Sequence, residues 1–309
     1  MITTQSVRQP GHVAVGLTHS IFTDQPSADA EHTLTISRRQ PIPTVNLKGQ
    51  PIHAISEMGA VEYILSELQS GRGGWCITPN LDHLRRLTRD RKLKALYSHA
   101  ALIVADGMPL IWASRIQGTP LPERVAGSSL ISTLSAAAGK QGRSVYLLGG
   151  DRGTAQQAAE VLKQQYPGVR IAGIYYPEFG FESDEAQMQK LIAHLTAANP
   201  DIVYVALGSP KQEWLIGQLR GYLPRAWWLG IGISFSFLSG HVKRAPQWMQ
   251  RSGLEWLHRL CQEPRRLARR YLVHGLPFAA SLFTSAIIGR LKTRSLRSPI
   301  RNSSLAIEQ

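Results

Sequence analysis

Beyond about Val45 the hydrophobic pattern of this chain keeps switching between two periods. Short, continuous apolar runs bounded by glycine, proline, asparagine or aspartate predict strands at residues 75–78, 102–105, 145–148, 171–175, 202–207 and 227–233. Between them apolar residues recur three or four apart, which predicts helices over residues 58–69, 155–165, 185–198 and 212–223. Strand and helix in alternation imply an α/β fold, a Rossmann-like, mostly parallel, doubly wound sheet.

The two ends break this pattern. Residues 1–44 mix Thr, Ser, Gln, Pro and single hydrophobes without a sustained period, the expectation for a disordered extension, and carry no secretory-type apolar core. The catalytic α/β unit is expected over residues 45–240. Residues 241–272 read as a basic amphipathic appendage in which Trp256, Leu257, Leu260, Leu267 and Leu272 form an apolar side. Residues 273–309 read as an apolar stretch with a basic tail. The stretch, 275–289, holds Pro277 and is shorter than the roughly 20 apolar residues of a spanning helix. It is expected to be an interfacial or re-entrant anchor, with a packed core helix as the rival.

Charge sharpens this division. The chain has a formal net charge of +14, and residues 241–301 hold 13 Lys/Arg against only Glu255 and Glu263. Nucleic acid, phosphorylated substrates and acidic lipid head groups are the partners such a concentration suits. The two cysteines, Cys76 and Cys261, lie far apart, so no disulfide framework is implied and a reducing, cytoplasmic setting is expected. No Asp-x-Asp pair is present and no two of the ten histidines stand three or four apart, which favours a metal-free mechanism.

In doubly wound sheets ligands bind outside the carboxyl ends of the strands, so the residues that follow each strand carry the candidate chemistry. Asp106 follows one apolar run and precedes Gly107; it is either a turn aspartate or a general base at the rim of the sheet. Thr78 and Asn80 flank Pro79 after the preceding strand, with Asn80 equally suited to cap a helix beginning at Leu81. Gly149 and Gly150 open a glycine-rich loop fit for close approach by phosphate, without the spacing of a P-loop or a dinucleotide fingerprint. Lys211, Gln212 and Glu213 start another helix and could contact a diphosphate or sugar hydroxyls, or form a solvated first turn.

In order and spacing, Thr78-Pro79-Asn80, Ala105-Asp106-Gly107, Arg124-Val125-Ala126-Gly127, Leu148-Gly149-Gly150, Gly208-Ser209-Pro210-Lys211-Gln212-Glu213 and Gly230-Ile231-Gly232 resemble the WecG/TagA/CpsF glycosyltransferase family. The resemblance runs from about Val45 to Leu272. It implies an inverting, metal-independent transferase of the GT-E fold class, without a cofactor. Such enzymes move a sugar, often N-acetylmannosamine or its uronic acid, from a UDP-sugar donor to a polyprenyl-diphosphate-linked acceptor in cell-surface polysaccharide synthesis. By the same resemblance Asp106 is the general base, Thr78 and Asn80 belong to the active-site loop, Arg124 is a pocket arginine and Gln212 binds sugar.

It also implies that the appendage closes over the site at an anionic membrane surface, where Arg259, Arg266 and Arg269 contact the diphosphate. Seven and three residues apart, these arginines fall near one face of a regular helix. Lys211 and the Gly149-Gly150 loop are further candidates for the leaving diphosphate. A peripheral enzyme on the inner face of the cell membrane is expected, with a tendency to self-associate and no nucleic-acid partner. A dinucleotide-binding oxidoreductase is the alternative enzyme class, weakened by the missing Gly-x-Gly-x-x-Gly. A basic nucleic-acid-binding protein is the alternative outside enzymes, marked by steep salt dependence.

Overall fold

A computed structural model of the protein describes residues 41–297. Most of the expected N-terminal extension, residues 1–40, and the end of the basic tail, 298–309, lie outside the described residues.

The first element is a hairpin that the sequence pattern does not announce. Strands β1 (Thr44–Leu47) and β2 (Gln50–His53) pair antiparallel, joined by Lys48 and Gly49 at φ 54° and 79°. Two consecutive positive φ values define the two-residue turn whose twist matches a hairpin. The remaining elements follow as α1 (Glu57–Gln69), β3 (Gly74–Ile77), α2 (Leu81–Leu87), α3 (Arg91–Tyr97), β4 (Leu102–Ile103), α4 (Met108–Gln117), α5 (Gly127–Lys140), β5 (Ser144–Gly149), α6 (Thr154–Gln165), β6 (Arg170–Tyr175), α7 (Glu185–Ala198), β7 (Ile202–Ala206), α8 (Lys211–Leu219), β8 (Trp227–Gly230), α9 (Ser234–Leu238), α10 (Gln247–Ser252), α11 (Glu255–Gln262), α12 (Pro264–Ala268) and α13 (Leu276–Arg297). A π-helical turn, Arg269–Gly275, joins the last two.

All six strands expected from the sequence are present, in a single sheet ordered β4-β3-β8-β7-β5-β6 with every neighbouring pair parallel. Both faces are covered, which explains the uninterrupted apolar runs. Along β7, Ile202 and Tyr204 join the core formed with α1, α5 and α6, while Val203 and Val205 join the core on the other side with α3, α7 and α8. These strands differ from expectation chiefly in length, whereas helices α2 to α5 are not among the elements the pattern predicts. The last strand stops at Gly230, because the chain turns at Gly232 (φ 57°) into α9.

A third apolar cluster lies at the β4 edge. Val45, Leu47 and Ile52 of the hairpin pack there with Leu110 and Ile111 of α4 and with Leu282 and Ala286 of α13. Apart from Gly275, the 275–289 stretch lies in α13, a single helix of 22 residues docked on α4 by one side. Pro277 does not break it. The widened π turn lies just before this proline, where a regular helix would lose a hydrogen bond and crowd the carbonyl of Val273. The run Pro264–Lys292 is long and apolar enough to cross a membrane by length and composition, and only 11% of its most apolar window is buried. Leu276, Ile287, Ile288 and Leu291 stay exposed, while Leu282 and Ala286 are buried against the third cluster.

Candidate active site

The carboxyl ends of β3, β4, β5, β7 and β8 open into one cavity of about 950 Å³, closed on its other side by residues from α11 to α13. Thr78, Asn80, Asp106, Arg124, Gly150, Gln212, Arg259 and Arg266 all line it, so eight of the residues singled out in the sequence come together. Gly149, Lys211, Glu213 and Arg269 do not.

Asp106 is fixed by its neighbours on both sides. Its backbone N–H donates to the Pro79 carbonyl at 2.9 Å, and the Val125 N–H donates to the Ala105 carbonyl at 2.8 Å, so three loops are tied together around it. Burial pushes its carboxyl up to about 6; the Arg124 guanidinium opposes this, Glu255 adds to it, and Arg244 and the Gly127 amide oppose it. Gly127 is the first residue of α5, so a helix N-terminus faces the ionised form. The result is a carboxylate that exchanges its proton near neutrality.

Thr78 and Asn80 stand at the end of β3. Thr78 is buried, and a side chain at Gly127 would come within 3.2 Å of its hydroxyl oxygen, so the glycine admits the threonine. Asn80 does serve as the cap of α2, its side-chain oxygen accepting from the amides of Asp82 (3.0 Å) and His83 (3.3 Å). It lines the cavity as well, so the two readings of Asn80 are compatible.

Gln212 is mounted from three sides. Its carbonyl oxygen accepts from the Gly232 amide at 3.1 Å, its Nε2 donates to Glu213 Oε1 at 3.1 Å, and Gly230 supplies the space, since a Cβ there would lie 2.6 Å from Nε2. Glu213 is buried behind the wall, with its carboxyl pushed up by burial. It orients Gln212 and stands away from the pocket surface. Lys211 also turns away. Its Nζ pairs with Glu182 Oε1 at 2.7 Å and lies over the Phe181 ring, off the cavity wall. Of the two loop glycines Gly150 reaches the wall, beside Asp151; Gly149, at φ 88°, is packed against Leu207.

The basic segment departs from a regular helical wheel. The chain leaves helical geometry at Glu263 (φ −132°, ψ 59°) between α11 and α12, and the π turn then shifts the phase again. Arg269 is therefore exposed and off the wall, while Arg270 lines it, with Nε 3.1 Å from Asp82 Oδ2. Asp82 also pairs with Arg85 at 2.9 Å and Arg86 at 2.8 Å. Arg259 and Arg266 share Glu263, at 3.4 Å and 2.6 Å. Arg244 and Glu255 were not singled out by sequence. Glu255 is one of only two acids in the basic stretch, which marks it without saying what it does.

His258 and Cys261 stand three apart on α11, but among the described residues no three His, Cys, Asp or Glu side chains form a group that could hold a metal ion.

A parallel sheet whose strand ends present a carboxylate of raised proton affinity, opposite a wall of arginines, is suited to group transfer on an anionic substrate. Residues 45–292 match the model of the glycosyl transferase WecG/TagA/CpsF family, and the chain belongs to that family. It is a glycosyltransferase, which sets aside the oxidoreductase alternative. It is similar to the N-acetylglucosaminyldiphosphoundecaprenol N-acetyl-beta-D-mannosaminyltransferase of Bacillus spizizenii, 34% identical over 202 residues that make up 65% of this chain and 76% of the relative.

Proposed function

We propose that this enzyme transfers a sugar of the N-acetylmannosamine class from a UDP donor to a polyprenyl-diphosphate-linked sugar, with inversion and without a metal. One observation carries the reading: Asp106 stands at the end of β4 in the same cavity as Arg259, Arg266 and Arg270. The relative named above, whose acceptor is a diphosphoundecaprenol-linked sugar, supports the substrate class.

In this mechanism the Asp106 carboxylate takes the proton of the acceptor hydroxyl. The freed oxygen attacks the anomeric carbon on the face opposite UDP, the carbon–oxygen bond to UDP breaks, and the configuration inverts. Charge gathering on the leaving diphosphate is met by Arg124, Arg259, Arg266 and Arg270. Gln212, held rigid by Gly232 and Glu213, contacts the sugar. The exposed apolar residues of α13, next to Arg290 and Lys292, rest on the anionic inner face of the membrane that carries the acceptor.

The test is a panel of UDP-sugars offered with polyprenyl-diphosphate N-acetylglucosamine, with and without EDTA, followed by determination of the product's anomeric configuration. Asp106→Asn is expected to keep UDP binding while turnover falls about 1,000-fold, the middle of the range for a general base. Near-wild-type turnover in this variant removes Asp106 from the base role. A retained configuration overturns the single-displacement mechanism.

A further inference from the structure

A second carboxylate faces the same cavity as Asp106, from a different part of the chain. Glu255 opens α11 and is only 16% exposed. Each of its oxygens is held by a guanidinium group: Oε2 accepts from Arg124 Nη1 at 2.8 Å, and Oε1 accepts from Arg244 Nε at 3.3 Å. Arg124 precedes α5, whose first amide reaches Asp106, and Arg244 precedes α10. All four charged side chains are largely withdrawn from solvent, so they act on one another with little screening.

The other charged groups of the cavity are engaged elsewhere. Asp82 is paired with Arg85, Arg86 and Arg270, and Glu263 with Arg259 and Arg266. Asp151 accepts from the Ser236 hydroxyl at 3.0 Å. His83 is buried, which pushes it down to about 3, and its Nδ1 accepts from the Asn80 amide; His241 is on the exposed rim. The charges acting on Asp106 are those of Arg124, Glu255 and Arg244.

We infer that Glu255 is a positioning residue for the transfer reaction, which, from the C-terminal segment, fixes Arg124 and Arg244 beside Asp106 and offsets their charge. Without it two uncompensated guanidinium groups would draw on the Asp106 carboxylate, lower its affinity for a proton and make it a weaker base. The same pairing holds both arginines in place until a diphosphate arrives. The inference rests on the reading of Asp106 as the general base.

Two measurements on the full chain test it. In protein labelled with 13C at the aspartate carboxyl, the Asp106 resonance is assigned by its disappearance in Asp106→Asn and followed against pH, with no substrate present. In Glu255→Gln its midpoint is expected to fall by about one pH unit, the lower end of the effect of a neighbouring charge, and in Glu255→Asp to stay close to wild type. The acid limb of the rate profile, measured with the donor and acceptor found by the panel above, moves with it, and turnover at pH 7 falls by up to about tenfold.

Arg244→Gln provides an opposite arm, since removing one guanidinium group moves the midpoint upward. An Asp106 midpoint unchanged in Glu255→Gln, or one that falls without the acid limb following, overturns the assignment. So does a midpoint in Arg244→Gln that stays or falls. Near-wild-type turnover in Asp106→Asn is a different failure: it removes the base and leaves the substrate-free titration as a fact about the pocket.

Discussion

The two walls of the cavity are held in place by different forces. The sheet wall is mounted on strands buried on both faces, and its working groups are set by backbone hydrogen bonds and by glycines that leave room for them. The C-terminal wall is buried far less: α11 buries no residue, α12 and α13 are anchored through Leu267, Leu282 and Ala286, and ion pairs tie the arginine-bearing part to the sheet side, Glu255 with Arg124 and Arg270 with Asp82. Burial is indifferent to salt and to the arrival of an anion, whereas partly exposed ion pairs respond to both. The chemistry is placed rigidly and the positive charge adjustably.

The sharpest break of that comparison is to reverse charge on the adjustable wall alone. Arg259→Glu combined with Arg266→Glu is expected to lower kcat/KM on the lipid-linked acceptor about 100-fold, as the loss of charge-assisted contacts to a diphosphate. Arg269→Glu and Lys211→Ala, both off the wall, should stay within about twofold. Equal losses in all three variants would mean that overall basicity, rather than the geometry of the cavity, governs activity.

A smaller effect probes the rigid wall. The Asp106 carboxyl is raised from 3.8 to about 6 on folding, so the native state holds its proton more tightly than the unfolded chain. Stability from this group is therefore lost as pH rises between those values, and the penalty is fully present above about 6. Asp106→Asn should be more stable than wild type at pH 7 by up to about 3 kcal/mol, with the difference gone near pH 4. Chemical denaturation at the two pH values measures it, and equal stability at both would show that the carboxylate is not strained by its site.

The sheet was legible because strands covered on both faces must be apolar at nearly every position, as at Ile202–Ala206. The hairpin Thr44–His53 escaped because its strands have four residues each and one contains Pro51, tolerated at an edge. Motif residues at strand ends were legible as a set, but which of two neighbours faces the cavity was not. Gly150 rather than Gly149, and Arg270 rather than Arg269, are decided by packing against Leu207 and by the irregular helical path through the π turn, neither of which a regular wheel contains. That Lys211 pairs away from the cavity is not visible in the sequence, because its partner, Glu182, comes from a distant turn. Glu255 was passed over for the same reason: its partner Arg124 is 131 positions away, and an acid in a basic stretch declares its role only when the chain is folded.

The most direct test of the account is the pH dependence of kcat/KM between pH 4.5 and 8 for the donor and acceptor pair that the enzyme accepts. A single ionisation near pH 6, with the rate falling about tenfold per unit below it, is the predicted result, because the Asp106 carboxyl must be ionised to accept a proton. A rate that is flat through that range in the wild-type enzyme would contradict it.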